Sequence, residues 1–167
     1  RELNLKPSRR AKCTLNKPIF CLDNGETLRV RKYVAAYTLR RLHQTAFREN
    51  VITAYDSSCS ICRLKHRELL DAAHIIPDTH PMGDPIVING LCLCKIHHAA
   101  FDQNIVGIDP DYTIHIRSDV LEETDGPMLL HGLQELHNGK LIVPHKIQDR
   151  PDRERLEVRY HEFLEIR

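Results

Sequence analysis

Four side chains in two close pairs are the first candidates for chemistry in this sequence of 167 residues. Cys59 and Cys62 form a C-x-x-C, and Cys94 with His97 forms a C-x-x-H. Each pair makes a tight knuckle with two ligands, and two such pairs close a tetrahedral zinc site with the chain between them as a clasped loop. A C-x-x-C alone is equally a redox motif, but the second pair favours structural zinc. Cys92 competes as a ligand, because in an extended segment it projects to the same side as Cys94. Cys13 and Cys21 have no partners at a telling spacing and read as incidental or buried thiols.

The elements that must position these ligands are legible from periodicity. From Val34 to Tyr55 the residues Val34, Leu39, Leu42, Ala46, Phe47, Val51 and Ile52 recur at helical spacing, with Arg40, Arg41 and Arg48 on the remaining faces. Asp56-Ser57-Ser58 then signals a turn into the first pair. Leu69 to Ile76 reads as a strand ended by Pro77, and Ile86 to Leu93 as a second extended piece. Lys95 to Gln103 reads as a helix, which makes the local order strand, strand, helix. Further on, Ile105–Ile108 and Tyr112–Ile116 flank Asp109-Pro110-Asp111 as a hairpin. Leu129–Leu136 forms a short helix ending at Asn138-Gly139, and Arg153–Leu164 a terminal helix started near Asp152. Neither an internal repeat nor a low-complexity tract is present.

Composition bounds the rest. Hydrophobic residues at 41% and charged residues at 28% are ordinary for a globular protein, and 167 residues suffice for a core. No apolar run reaches membrane-span length and no signal peptide is recognisable, so the expected compartment is the cytoplasm, with no membrane partner. The start at Arg1 implies a piece of a longer chain. A net charge of +1 conceals an asymmetry, since residues 1–50 carry +8 and residues 51–167 carry −7. A basic segment suits either a polyanion partner or a solvated linker. Residues 1–33 are therefore expected to be a basic linker or the tail of a preceding domain, followed by one domain over 34–167.

A family resemblance enters with three residues in order. His74, Asn89 and His98 lie in Asp-Ala-Ala-His-Ile-Ile-Pro and Asn-Gly-Leu-Cys-Leu-Cys-Lys-Ile-His-His-Ala-Ala-Phe-Asp, fifteen and nine residues apart. This triplet, in its strand-strand-helix setting beside the C-x-x-C, resembles the signature of HNH nucleases, the ββα-metal endonucleases, over about Tyr55 to Asn104. The wider layout resembles the carboxy-terminal nuclease domain of restriction endonucleases, especially modification-dependent ones. The resemblance implies an α+β fold, a ββα-metal core with a zinc knuckle flanked by helices and a β-hairpin. It also implies a DNA endonuclease, with recognition supplied by an amino-terminal domain.

The implied chemistry is phosphodiester hydrolysis. A water must lose a proton and the departing 3′ oxygen must be stabilised, tasks for a neutral imidazole and a divalent ion. His74 is assigned as the base. The resemblance makes Asn89 a residue that orients that histidine or pins its loop, and His98 a ligand of the catalytic metal. Asp102 lies one turn beyond His98 on the same helical face and can converge on the same ion. Magnesium or manganese suits such a set, and a histidine-containing site also accepts nickel or cobalt. Arg40, Arg41 and Arg48 are the phosphate-contact candidates.

One position departs from the pattern. Many relatives carry Asp or His immediately before the first motif histidine as a metal ligand, whereas this chain has Ala73. Asp71, roughly 7 Å back along the strand, is the weaker substitute. The departure leaves open a non-catalytic zinc module that binds nucleic acid. A homodimer would suit double-strand cleavage, but no residue establishes an interface.

Overall fold

Leu70-Asp71-Ala72-Ala73-His74 and Gly90-Leu91-Cys92-Leu93-Cys94 form an antiparallel pair, β1 (Leu70–His74) and β2 (Gly90–Cys94). The register places Leu70 opposite Cys94 and His74 opposite Gly90. Every residue of β2 is buried, so the strand shows no polar alternation, the mark of a strand covered on both faces. Helix α2 (Lys95–Asp102) follows without a linker and buries His97, Ala100 and Phe101. This is the expected strand, strand, helix order. The computed structural model describes residues 24–124 and 126–166; Cys13 and Cys21 lie outside the described residues, as does the side chain of Arg40.

The chain divides into two units, residues 1–38 and 39–167. Within the first, residues 24–38 are helical, so part of the expected linker is a helix: α1 runs Asn24–Ala54 and starts ten residues before the expected Val34. Val34 is exposed, as are Leu42 and Ala46 in the second unit. Among the described residues burial begins at Phe47 and continues through Val51, Ile52 and Tyr55. These residues cover β2, and Gly90 is the point of closest approach. A Cβ there would lie 2.5 Å from Val51 Cγ2 and 2.9 Å from Phe47 Cζ.

Two boundaries moved for one reason. The first strand ends at His74 rather than Ile76, and the second extended piece begins at Gly90 because Val87–Asn89 is a 3-10 turn. Asn89, fully buried, ties this bend together. Its carbonyl accepts from Ile75 N, its Oδ1 accepts from Ile76 N, and its Nδ2 donates to the carbonyls of Ile76 and Asp84. A buried amide with all these partners outweighs the extended preference of Val87 and Ile88.

A second antiparallel pair, β3 (Val106–Ile108) and β4 (Ile114–Ile116), is the expected hairpin. Asp109 Oδ1 accepts from the backbone N–H of Asp111 and Thr113 across its turn. A five-residue helix not anticipated from sequence, α3 (Ser118–Glu122), comes next. The helix expected at 129–136 is instead α4 (Pro127–Gly132) and a 3-10 turn (Gln134–Leu136), broken at Leu133. Pro127 starts α4 at a position where its missing N–H costs nothing. Helix α5 (Arg153–Ile166) buries Leu156 and Phe163. Asp152 caps it by accepting from Arg155 N, and Phe163 packs so closely on β3 that a Cβ at Gly107 would lie 2.5 Å from the ring.

The closeness of α1 to β2 makes Gly90 sensitive to one added methyl. Gly90→Ala is expected to destabilise the domain by about 1–3 kcal/mol through overpacking against Val51 and Phe47, read as a lowered midpoint in chemical denaturation.

Candidate active site and metal cluster

The two Cys/His pairs converge. Cys59, Cys62, Cys94 and His97 bring their ligand atoms within 4.8 Å of one another. Cys62 Sγ lies 3.9 Å from Cys94 Sγ, and His97 Nδ1 lies 3.2 Å from Cys94 Sγ and 3.7 Å from Cys59 Sγ. Tetrahedral zinc with bonds of about 2.3 Å to sulfur and 2.0 Å to nitrogen sets ligand–ligand edges of roughly 3.5–3.8 Å, so the donor set fits the ion. The knuckle docks onto the strand, since Ser60 N donates to Cys92 O and Cys94 N donates to Cys59 Sγ. The hydrogen bond with Cys94 is the main influence lowering the Cys59 thiol below its usual pKa, while the same contact raises the Cys94 thiol and burial raises that of Cys62.

His97 has a further partner that the sequence did not indicate. Its Nε2 lies 2.8 Å from the carbonyl of Gly132 at the end of α4. That acceptor selects the tautomer with the proton on Nε2 and leaves Nδ1 for the metal. Cys92, the competing ligand, is not part of the cluster. It is fully buried, and burial pushes its thiol up to about 12, so it is a neutral core residue.

On the other side of the ββα element, a concavity of about 600 Å³ lies in the second unit. Asp71, Ala72 and His74 of β1 and His98 of α2 line one part of it. Arg41, Gln44, Thr45, Phe47 and Arg48 of α1 line the other. His74 stacks on Phe47, with ring centroids 4.1 Å apart. Burial is the main cause that lowers its pKa below 6.5, and the nearby charge of His98 adds to this while Asp78 and Asp102 oppose it. Its Nε2 is buried without a hydrogen-bond partner. Asn89 does not reach this ring with its recorded bonds, which hold the loop after His74 instead.

His98 stands between two carboxylates, one for each ring nitrogen. Asp71 Oδ2 is 3.8 Å from Nδ1, and Asp102 Oδ2 is 3.4 Å from Nε2. Asp71 lines the concavity, while Asp102 is more exposed and is not among its lining residues. The position before the motif histidine offers no ligand, because the methyl side chain of Ala73 has no donor atom; it is fully buried in the core. Asp71 is also the most heavily paired carboxylate here. Lys95 Nζ lies 2.7 Å from Oδ2, Arg48 Nε lies 3.4 Å from Oδ1, and Ala72 N donates to Oδ1. Burial raises the Asp71 pKa, but the hydrogen bonds from Lys95 and Ala72 and the charges of Lys95 and His98 outweigh it and leave the carboxyl below its usual value.

The arginine candidates separate. Arg41 lines the concavity. Arg48 lines it too, but its guanidinium is committed to protein partners: Nη2 donates to Leu70 O at 2.7 Å and to Arg67 O at 3.3 Å, and Nη1 donates to Glu49 at 2.9 Å. It straps α1 to the entry of β1. Glu49 in turn holds Arg67, which donates to Ser57 Oγ as well. Gln44 and Thr45, one helical turn along from Arg41 on the same face, were missed because polar residues on an amphipathic helix read as a solvated face.

Comparison with known proteins supports the reading of the central segment. Residues 59–109 match the HNH endonuclease family. No curated protein matches the chain. A solved structure, the modification dependent TagI restriction endonuclease, is similar at 20% identity with a TM-score of 0.46, over 70% of this chain and 37% of that one. No described helix is long and apolar enough to cross a membrane.

The cluster makes a clear prediction for metal removal. Stripping the metal with a thiol-competent chelator, or replacing Cys94 by Ser, is expected to unfold the 59–102 region. Loss of near-ultraviolet and amide signals together with metal release would show this; stable folding after complete metal loss would contradict it.

Proposed function

Starting from an HNH endonuclease segment over residues 59–109, we propose that this chain is the cleavage domain of a metal-dependent DNA endonuclease. The observation that carries the reading is the convergence of His74, Asp71 and His98 on one concavity beside the Cys/His cluster. The cluster holds structural zinc. Residues 34–167 form the nuclease domain, and residues 1–33 connect it to an amino-terminal domain that recognises the DNA and its modification. Double-strand cleavage would pair two such domains, and the setting is cytoplasmic.

His74 is the general base. A neutral imidazole accepts the proton of the attacking water, and burial against Phe47 keeps this imidazole neutral at lower pH than a solvated one. Asn89 is a positioning residue that fixes the loop on which the ring depends. His98 with a flanking carboxylate supplies nitrogen and oxygen donors for a divalent ion, magnesium or manganese first, with nickel and cobalt also compatible. Two protein donors leave room for water and phosphate, the usual arrangement for magnesium. The ion's contribution is charge stabilisation of the phosphoryl oxygens and the departing 3′ oxygen. Asp102 was the carboxylate favoured by helical spacing. The concavity favours Asp71, whose oxygen faces Nδ1 of the same ring. Arg41, Gln44 and Thr45 provide the wall along which a DNA strand lies, with Arg41 as a phosphate contact and Arg48 holding the wall in place; Arg40 is a further phosphate-contact candidate from the sequence.

The buried Ala73 favours one rival, a zinc-stabilised module that binds nucleic acid without cutting it. Conversion of supercoiled plasmid to nicked or linear form discriminates the two. The wild type should cut with Mn²⁺ and stop in EDTA, and His74→Ala, still folded and zinc-loaded, should lose at least about a hundredfold in rate. Tight binding with no cutting under any metal would support the module.

The pH dependence follows from the sign of the His74 shift. Protonation removes the base as pH falls, and a lowered pKa delays this loss, so the acid limb of the cleavage profile should lie below pH 6.5. A limb centred above 6.5 would contradict the assignment.

A further inference from the structure

We propose that Lys95 is an exchangeable counter-ion that occupies Asp71 until a divalent metal replaces it, so that metal loading of the site requires the lysine to leave. The inference rests on the reading of Asp71 as the metal-facing carboxylate of the concavity.

Three observations carry it. Lys95 Nζ lies 2.7 Å from Asp71 Oδ2, the same oxygen that faces His98 Nδ1 at 3.8 Å. The ammonium therefore sits on the oxygen through which Asp71 and His98 would share an ion. The placement of Lys95 also runs against local preference. It is the first residue of α2, where the partial positive charge of the helix start disfavours a cation, and the first turn contains no acidic residue. Its pairing with Asp71 supplies a reason for a cation at that position.

The third observation is the contrast with Arg48, the other cation on Asp71. Arg48 is anchored independently by the carbonyls of Leu70 and Arg67 and touches the other oxygen, Oδ1, at 3.4 Å. Among the described residues Asp71 is the one polar partner of the Lys95 ammonium, and the side chain is 55% exposed, so it can move into water at little cost. When a divalent ion competes for Asp71, the lysine leaves and the arginine stays. Arg48 then continues to orient the carboxylate while Lys95 frees Oδ2.

The test is Mn²⁺ binding by isothermal titration to the zinc-loaded chain, without DNA. Mn²⁺ is a weaker competitor than zinc for a nitrogen and sulfur site, so the cluster remains loaded. Lys95→Met should tighten Mn²⁺ binding by up to about fivefold, the upper end of what removing one half-exposed ion pair supplies. Lys95→Arg keeps a competing charge and should bind Mn²⁺ nearly as the wild type does, and Asp71→Asn should weaken binding strongly. Unchanged or weaker binding in Lys95→Met, with Asp71→Asn still defective, would overturn the exchange and leave Asp71 as a ligand. Unchanged binding in Asp71→Asn would overturn the underlying reading and the exchange with it.

Discussion

The arrangement depends on one constraint, the drawing together of Cys59, Cys62, Cys94 and His97. A two-stranded hairpin of five-residue strands is marginal alone, and here its open end must also be joined to a helix of eight residues. The cluster performs that joining. It links the knuckle before β1, the last residue of β2 and the first turn of α2, and the Gly132 carbonyl extends the link to α4. Structural zinc in small domains is worth about 10–16 kcal/mol, comparable to the whole stability of an ordinary domain. His98 immediately follows a cluster ligand, and His74 pairs across the hairpin with Gly90. Their mutual position is therefore inherited from the clasp.

The concavity is assembled from two sources with different roles. The ββα element supplies the groups suited to proton transfer and metal binding, Asp71, His74 and His98. The carboxy-terminal part of α1 supplies a wall and a dry surface, with Phe47 covering the His74 ring and Arg48 tying the helix to Leu70. Burial and charge set the states of two titratable groups that line the concavity, His74 and Asp71. The imidazole is held neutral by desolvation, while the carboxyl is held ionised by Lys95 and its hydrogen bonds despite desolvation.

Much of this was legible in the sequence because it depends on spacing. The strand-strand-helix order and the hairpin at Asp109-Pro110-Asp111 follow from local pattern and both sheets bear them out, and the two Cys/His pairs come together in one cluster that could hold a metal. What escaped depends on contacts between distant residues. Arg48 reads as a phosphate contact until its bonds to Leu70 and Arg67 are seen, and Gly132 has no signal as the acceptor for His97. The 3-10 turn before Gly90 reflects the buried bonds of Asn89, which override the extended preference of its neighbours. Leu42 and Ala46 share the apolar spacing of α1 yet are exposed, since periodicity marks an apolar face without saying how much of it meets a partner.

Hydrolysis of DNA at the bond to the 3′ oxygen is tested most directly by the chemistry of the product ends. The zinc-loaded chain, incubated with a duplex and Mg²⁺ or Mn²⁺, should release fragments with 5′-phosphate and 3′-hydroxyl ends that a ligase rejoins. Fragments with 3′-phosphate ends, or intact duplex with every divalent metal despite a loaded Cys/His cluster, would contradict the account.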